Sequence, residues 1–139
     1  MVNSYLLDSD VVLDFLLKRT PFNVVAKELF TLALNEKIEI CISSLAIANI
    51  YYLLQKAIGK AESLILLREI LNFSKILSVG QHEILEAIIS DFLDLEDSIQ
   101  HQTARNNTKI KGVITRNIKD FKKSKLPVYS PESFLSLFK

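Results

Sequence analysis

Residues 4–14 read SYLLDSDVVLD, and this stretch decides the fold. Its first four residues form a short apolar run that ends at Asp8, as a buried β-strand would. Apolar residues then recur at helical spacing, and Asp10 is the expected N-cap of that helix. A strand followed at once by a helix predicts a βα unit, from which parallel sheets covered by helices are built. Acids at such a junction lie at the carboxyl edge of the sheet, where ligands bind.

The same alternation continues along the chain. Strands are predicted for five short apolar runs: Ser4–Leu7, Ile38–Ile42, Lys75–Val79, Gly112–Thr115 and, as an edge strand, Pro127–Tyr129. Helices are predicted between them: Val11–Lys18, 21–33, 44–58 (ended by Gly59), Ala61–Phe73, Gly80–Asp91, Asp94–Asn107 and Pro131–Phe138. This alternation predicts an α/β fold of three layers, α-β-α, with a central parallel sheet of four to five strands. At 139 residues, the chain is expected to be a single domain, 1–139.

Charge is unevenly distributed, although the net charge is only +1. Residues 83–97 carry acids and no Lys or Arg, whereas residues 105–125 are rich in Lys and Arg and carry Asp120 as their one acid. An acidic site beside a basic strip suits binding of a polyanion through metal ions. Two solvated helix faces would give the same pattern, so charge alone leaves both interpretations open.

The sequence also favours a cytoplasmic protein. Cys41, the single cysteine, lies in an apolar run and is expected to be a buried small hydrophobe, which fits a reducing compartment. Asp8 and Asp10 interrupt the apolar opening, so no signal peptide is expected there. The longest uncharged stretch, Ile40–Gln55, is too short and too polar to span a bilayer.

Three acids follow elements that a parallel sheet brings to one edge. Asp8 ends the first predicted strand, Asp97 opens a helical stretch, and Asp120 follows the tripeptide Thr115-Arg116-Asn117. Gathered carboxylates repel one another, and a hard divalent cation with oxygen ligands offsets that repulsion. The pattern therefore predicts a small metal-dependent enzyme of phosphate chemistry. Helix capping by Asp8 and solvation of Asp97 at a helix start are the alternatives.

Five segments carry a resemblance to a known family: Leu6–Asp14, Ile42–Tyr52, Phe92–Asp97, Ile114–Phe121 and Pro131–Leu135. Each is weak alone, but in this order and spacing they make the chain resemble the PIN domain. This domain is the metal-dependent ribonuclease fold of VapC-like toxins. The resemblance covers nearly the whole chain and implies a PIN-like form of the α/β fold predicted above.

The resemblance implies that Asp8 and Asp97 bind Mg²⁺ or Mn²⁺. Asn49 stands where the family usually has Glu, and its carbonyl oxygen brings no negative charge, so it is expected to weaken cation binding. A branch of PIN-like proteins carries a similar stretch, which would make Asn49 a subfamily feature. The fourth acidic position falls either on Asp120 or on Asn117.

Neighbouring residues receive supporting roles from the same resemblance. Thr115 and Asn117 are candidates for holding water or a phosphate oxygen, while Arg116 either contacts phosphate or pairs with Asp120. The lysines expected to guide RNA are Lys119, Lys122 and Lys123. Two further candidates are left open. Asp14 is expected behind the site or at the surface, and His101 either reaches the site or is exposed.

Two other families share part of this pattern. Asp8-Ser9-Asp10 looks like the nucleophile motif of haloacid-dehalogenase phosphatases, which need a substantial cap or core beyond this length. Receiver domains share the length and the acids of the first strand. They need a phosphoacceptor Asp at the end of the middle strand, where this chain has Ser78-Val79-Gly80.

The PIN resemblance thus implies a metal-dependent endonuclease of single-stranded RNA, the toxin of a type II toxin–antitoxin pair. The expected partners are RNA, a cognate antitoxin protein and a second copy of the chain in a homodimer, without a membrane. The alternative is a catalytically weakened PIN fold that binds RNA or a protein without cutting.

Overall fold

A computed structural model describes residues 2–138, which form a five-stranded parallel sheet covered by helices on both faces. The strands are β1 (Ser4–Leu7), β2 (Glu39–Ser43), β3 (Lys75–Leu77), β4 (Ile110–Ile114) and β5 (Val128–Tyr129). Their order across the sheet is β3-β2-β1-β4-β5. The predicted fold class, with three layers around a parallel sheet, is confirmed.

The helices fall in the predicted intervals: α1 (Ser9–Leu16), α2 (Asn23–Leu34), α3 (Ser44–Ile58), α4 (Lys60–Ile70), α5 (Gln81–Ile88), α6 (Leu95–Arg105) and α7 (Pro131–Leu135). Two short 3₁₀ helices, Ile118–Phe121 and Ser136–Phe138, complete the described chain. Gly59 separates α3 from α4 with φ +84°, a conformation that glycine adopts without strain. None of the helices in residues 2–138 is long and apolar enough to cross a membrane.

The start of α1 differs from the prediction. Asp10 was the expected N-cap, but Asp8 caps the helix instead, because its carboxylate accepts a hydrogen bond from the backbone N–H of Ser9 at 2.8 Å. Helix α1 consequently begins two residues earlier than predicted. Asp10 lies inside its first turn, where a negative charge is favourable near the positive end of the helix dipole.

The order of the strands creates a switch point between β1 and β4. From β1 the chain moves to β2 and β3 on one side, and then returns to place β4 and β5 on the other. Leu7 pairs with Ile114 at the carboxyl ends of the two strands, so the residues that follow, Asp8 and Thr115, are neighbours. In open parallel sheets, ligands bind in the crevice above such a point.

Each face of the sheet has its own apolar core, as expected for strands buried on both sides. The larger core packs Leu7 and the alternate side chains of β2 against α1, α2, α3 and α7. The smaller core joins Leu6, Cys41 and Val113 to Ala104 of α6 and to Phe121. Cys41 is 2% exposed and burial raises the pKa of its thiol to about 11, in agreement with a structural role.

Candidate active site

Asp8 lies at the centre of the candidate site, between the end of β1 and the start of α1. Its side chain is buried, and its oxygens accept three hydrogen bonds. Oδ1 accepts from the Ser9 N–H at 2.8 Å and from Gln100 Nε2 at 3.2 Å, and Oδ2 accepts from the Thr115 hydroxyl at 2.7 Å. Burial raises the pKa of Asp8, while the hydrogen bonds from Thr115 and Gln100 oppose that rise. The three hydrogen bonds hold the Asp8 carboxylate in one orientation.

Thr115 and Gln100 fix this carboxylate from two different elements. Thr115, fully buried after β4, donates to Asp8 and accepts a hydrogen bond from the backbone N–H of Asn117 at 3.0 Å. Gln100 donates from α6, and its Oε1 atom is buried without a hydrogen-bond partner among the described residues. Sequence reasoning did not identify Gln100, although its position three residues after Asp97 places both on one helix face.

Asp97 lies in the first turn of α6, where the side chain of Asp94 caps the helix by accepting from the Asp97 N–H at 2.9 Å. The half-buried carboxyl of Asp97 has its pKa raised to about 7, first by burial and then by the charge of Asp8. The charges of Asp94, Asp120 and Glu96 add to the rise. Asp8 and Asp120 are thus close enough to Asp97 for their charges to affect its pKa.

Glu96 is a further acid of this cluster that sequence reasoning did not single out. Burial raises its pKa, the Asn49 side chain lowers it, and the charges of Asp8, Asp94 and Asp10 raise it again. Asn49 on α3 therefore lies close enough to Glu96 on α6 to affect its pKa. The run Phe92–Asp97 gave a sign of this arrangement, since Glu96 and Asp97 are adjacent, but sequence alone does not show that the charge of Asp8 acts on both.

Asn117 and Asp120 occupy different places around the cluster. The Asn117 side-chain amide donates to Asp10 Oδ2 at 2.8 Å, across the gap between the end of β4 and α1. Asp120 is exposed on the 3₁₀ helix Ile118–Phe121, and its charge contributes to the raised pKa of Asp97. Of the two residues considered for the fourth acidic position, Asp120 supplies charge to the site and Asn117 binds a neighbouring acid.

Arg116 corrects one prediction. Its Nε and Nη2 atoms donate to the two carboxylate oxygens of Asp14 at 2.7 and 3.2 Å, and its guanidinium lies 3.9 Å from the ring centroid of Phe22. The predicted pairing of Arg116 with Asp120 is therefore wrong. Asp14 is 1% exposed and lies behind the site, where Arg19 Nε also approaches it at 3.2 Å.

His101 is also placed differently from both alternatives. It is 2% exposed, its Nε2 accepts a hydrogen bond from the Lys125 N–H at 2.9 Å, and its ring stacks on Phe92 with centroids 4.8 Å apart. Burial lowers its pKa to about 4, with further contributions from Arg105 and Lys125. The ring is therefore neither exposed nor part of the carboxylate cluster.

The three lysines expected to guide RNA lie next to the acids. Lys119, Lys122 and Lys123 are exposed, and together with Asp94 and Asp120 they line a cavity of about 200 Å³. Positive side chains at this rim can attract a phosphate backbone toward the negative cluster.

The donor set suits a hard divalent cation. Within residues 2–138, Asp8 and Asp97 have no Lys or Arg partner, and no three His, Cys, Asp or Glu side chains are grouped closely enough to enclose a metal by themselves. Mg²⁺ is commonly held by one or two carboxylates and several waters, so an open oxygen site is what it requires. The unpartnered Oε1 of Gln100 adds a buried oxygen beside Asp8.

Comparison with known proteins gives a family match over most of the chain. A family model described as PIN domain matches residues 4–119. Ribonuclease VapC1 of Aquifex aeolicus (strain VF5) is 28% identical over 132 residues, which cover 91% of this chain and 90% of that protein.

Solved structures share the fold at lower identity. VapBC2 from Rickettsia felis, bound to a DNA fragment from its promoter, gives a TM-score of 0.65 at 20% identity, covering 91% of this chain and 98% of that one. A toxin–antitoxin complex from Klebsiella pneumoniae gives 0.67 at 23% identity, covering 91% and 97%. VapC20 of Mycobacterium tuberculosis, a toxin that cleaves the sarcin–ricin loop, gives 0.64 at 13% identity, covering 78% and 86%.

Proposed function

The chain belongs to the PIN domain family, and on this premise we propose that it is a metal-dependent endonuclease of single-stranded RNA, the toxin of a type II toxin–antitoxin pair. The observation that carries the proposal is the position of Asp8 at the switch point of the sheet, where Gln100, three residues after Asp97 on α6, donates a hydrogen bond to it. The relative from Aquifex aeolicus is a ribonuclease, and structures with the same fold come from toxin–antitoxin complexes.

Asp8 and Asp97 would hold Mg²⁺ or Mn²⁺, with Asp120 nearby. The bound metal would lower the pKa of a water molecule and neutralise charge that develops on the phosphodiester during attack. The chain itself supplies rigidity. Thr115 and Gln100 hold the Asp8 carboxylate in place, so the site is organised before substrate arrives.

Asn49 need not leave the site inactive, because Glu96 supplies a carboxylate next to it. We propose that Glu96 compensates for the negative charge that Asn49 lacks, with the Asn49 amide orienting it. The support is that the Asn49 side chain lowers the pKa of Glu96, whereas the charge of Asp8 raises it, so both residues lie close to Glu96. This arrangement favours the interpretation of Asn49 as a subfamily feature.

RNA would approach over Lys119, Lys122 and Lys123, whose exposed ammonium groups line the cavity beside Asp94 and Asp120. Each phosphate that a lysine contacts releases counterions, so binding is expected to weaken with salt. Three side chains that follow β4 each donate a hydrogen bond to an acid: Thr115 to Asp8, Arg116 to Asp14 and Asn117 to Asp10. In this proposal they position the acids rather than contact phosphate themselves.

A cognate antitoxin and a second copy of the chain are the proposed protein partners. Large apolar side chains on α3, α4 and α5 are exposed and offer surface for such contacts: Tyr52, Leu53, Leu64, Ile65, Leu85 and Ile88. The proposed place of action is the cytoplasm, since the lone buried cysteine suits a reducing compartment.

A binding module that does not cut is the second candidate. It is favoured by Asn49 at a position usually occupied by Glu, and by the raised pKa of Asp97, since a protonated carboxyl binds a cation poorly. Such a module would bind RNA or a protein partner without any turnover in the presence of metal.

A cleavage assay on labelled single-stranded RNA distinguishes these candidates. We expect cleavage in Mg²⁺ or Mn²⁺, none in EDTA, and none with Asp8→Asn, which retains a good helix N-cap. Glu28→Gln, an exposed acid on α2, is the matched control and should cleave as the wild type does. A wild type that binds RNA but never cuts would support the binding module. Full activity in Asp8→Asn would refute the proposed site.

A further inference from the structure

A second cavity adjoins the one lined by Lys119, Lys122 and Lys123, which we call the lysine rim, and Phe92 lines both cavities. Its volume is about 340 Å³, within the range of cavities that bind small ligands, and it is open to solvent. Its walls come from the end of α5, from α6 and from the segment after Phe121. The proposed reaction gives it no role.

The cavity contains a buried polar group without a partner. His101 lines it, and its Nδ1 has no hydrogen-bond partner among the described residues. Because Nε2 accepts a hydrogen bond from the Lys125 N–H, the neutral ring carries its proton on Nδ1. An unpaired buried donor is costly, and an acceptor oxygen from a ligand would satisfy it once a residue of the cavity wall moves aside, because Nδ1 itself is closed to solvent.

Cations surround this donor. Arg105, Lys123 and Lys125 line the cavity, and none of them forms an ion pair within residues 2–138. Two acids share the walls, Glu86 and Asp91. Glu86 is already engaged, since its Oε1 accepts from Asn106 Nδ2 at 2.7 Å and lies 3.3 Å from His82 Nε2. Three cations and two acids in the walls leave a net charge of +1, which suits a phosphate.

The cavity adjoins the one beside the candidate active site. It shares Asp91, Phe92 and Lys123 with the cavity that Asp94 and Asp120 line. Helix α6 lines the second cavity at its C-terminal end, and Arg105 lies about 12 Å along the helix axis from Asp97 in the first turn. A strand of RNA whose backbone lies at Asp97 can therefore extend into the second cavity.

We propose that this cavity is a nucleotide subsite for the same single-stranded RNA, in which Arg105, Lys123 and Lys125 bind phosphate and His101 donates a hydrogen bond to the bound nucleotide. The inference rests on the proposed nuclease function and adds a second point of contact to it. Apolar side chains in the wall, Ile89 and Phe92, provide the surface against which a sugar or base can pack.

RNA binding in EDTA tests the subsite without cleavage. The variant is Arg105→Gln with Lys125→Gln, and the control is Lys27→Gln with Lys37→Gln, which removes the same charge from exposed positions away from the cavity. Fluorescence anisotropy with a labelled single-stranded oligonucleotide gives affinity across a salt series. Loss of two phosphate contacts should lower the magnitude of the salt slope by about 1.4, since each contact to a single strand contributes about 0.7. The control variant should lower the salt slope by less than this amount.

Nitrogen NMR of histidine-labelled wild-type protein provides a second readout at the site itself. The chain has two histidines, and His82 contacts Glu86 in the cavity wall, so the Arg105→Gln, Lys125→Gln variant serves as the reference instead. Addition of the oligonucleotide in EDTA should shift the Nδ1 signal of His101 more in the wild type than in this variant. An unshifted His101, or equal losses of affinity in the variant and its control, would overturn the subsite.

Failure of the subsite and failure of the nuclease proposal are distinguishable. A shifted His101 with a reduced salt slope, but no cleavage in Mg²⁺ or Mn²⁺, would support the subsite and refute the nuclease. Cleavage that depends on Asp8, with the Arg105 and Lys125 variant equal to its control, would refute the subsite and leave the nuclease standing.

Discussion

The guanidinium of Arg116 binds the carboxylate of Asp14 through two hydrogen bonds, of 2.7 and 3.2 Å. Asp14 is 1% exposed, and Arg116 belongs to the segment that follows β4, directly after Thr115. This pair fixes that segment against α1. Because Thr115 in turn donates to Asp8, the ion pair stabilises the backbone from which the site is built.

Removal of this ion pair should destabilise the protein. Asp14→Asn leaves Arg116 without its charged partner, and we expect the free energy of unfolding to fall by about 1–3 kcal/mol, the range for hydrogen bonds to charged groups. Urea denaturation measures this. Glu28→Gln, an exposed change of the same chemistry, should stay within about 0.5 kcal/mol of the wild type. An equal effect of the two substitutions would show that the pair contributes little.

The stability of the metal-free protein should depend on pH. The pKa of Asp97 is raised from 3.8 to about 7, so between these values the folded protein keeps a proton that the unfolded chain has lost. The contribution of Asp97 to the free energy of unfolding should therefore fall as the pH rises from about 4 to about 7. His101 acts in the opposite direction, because its pKa is lowered from 6.5 to about 4. Urea denaturation in EDTA at pH 5 and pH 8 therefore compares the wild type with Asp97→Asn, which should gain stability relative to the wild type as the pH rises. An equal difference between the two proteins at both pH values would contradict the prediction.

Metal binding should show the opposite dependence on pH. A cation competes with the proton at Asp97, so the affinity for Mn²⁺ should increase as the pH rises through about 7. Isothermal titration calorimetry at pH 6 and pH 8 measures this without RNA. Asp8→Asn should reduce the affinity at both values, because a neutral side chain replaces one of the proposed ligands. Unchanged affinity in Asp8→Asn would place the metal elsewhere.

Substitutions at Glu96 and Asn49 should change metal affinity in opposite directions. Glu96→Gln removes the charge proposed to compensate for Asn49, and we expect about a tenfold weaker affinity for Mn²⁺. Asn49→Glu adds a carboxylate beside Glu96 and should tighten metal binding and raise the rate of RNA cleavage. Calorimetry and the cleavage assay measure the two effects. If Glu96→Gln binds metal like the wild type, the compensating role of Glu96 is refuted.

Neutralisation of the lysine rim should weaken RNA binding. With Lys119, Lys122 and Lys123 all changed to Gln, the magnitude of the salt slope for a single-stranded RNA should fall by about 2, because each contact contributes about 0.7. Anisotropy in EDTA measures the slope. Three exposed lysines distant from the acids, Lys27, Lys37 and Lys60, provide the charge-matched control. A slope that equals the wild type's would leave the rim as ordinary solvated surface.

The sequence predicted the sheet well because its strands are short apolar runs between clear helical patterns. The ends of elements were less accurate where a side chain could cap from more than one place, as with Asp8 and Asp10 at α1. Asp8 and Asp97 could be singled out because topology alone brings strand ends and helix starts to one edge of the sheet.

Partners across the fold could not be predicted. Arg116 was expected to act on phosphate or on Asp120, which is close in sequence, but it binds Asp14 on α1. His101 lies one helical turn after Asp97, yet its ring stacks on Phe92. Both outcomes depend on how α6 and the segment after β4 pack against the sheet, and neither helical spacing nor residue type contains that information.

The hydrogen bonds that hold the acids near the start of the chain come from far along it. Gln100 and Thr115 lie 92 and 107 positions after Asp8, and Arg116 lies 102 positions after Asp14. During translation, a nascent chain that has not reached Thr115 carries most of the carboxylates but lacks the groups that orient Asp8 and Asp14. The arrangement at the candidate site therefore cannot form until the segment that carries Thr115 and Arg116 has been synthesised.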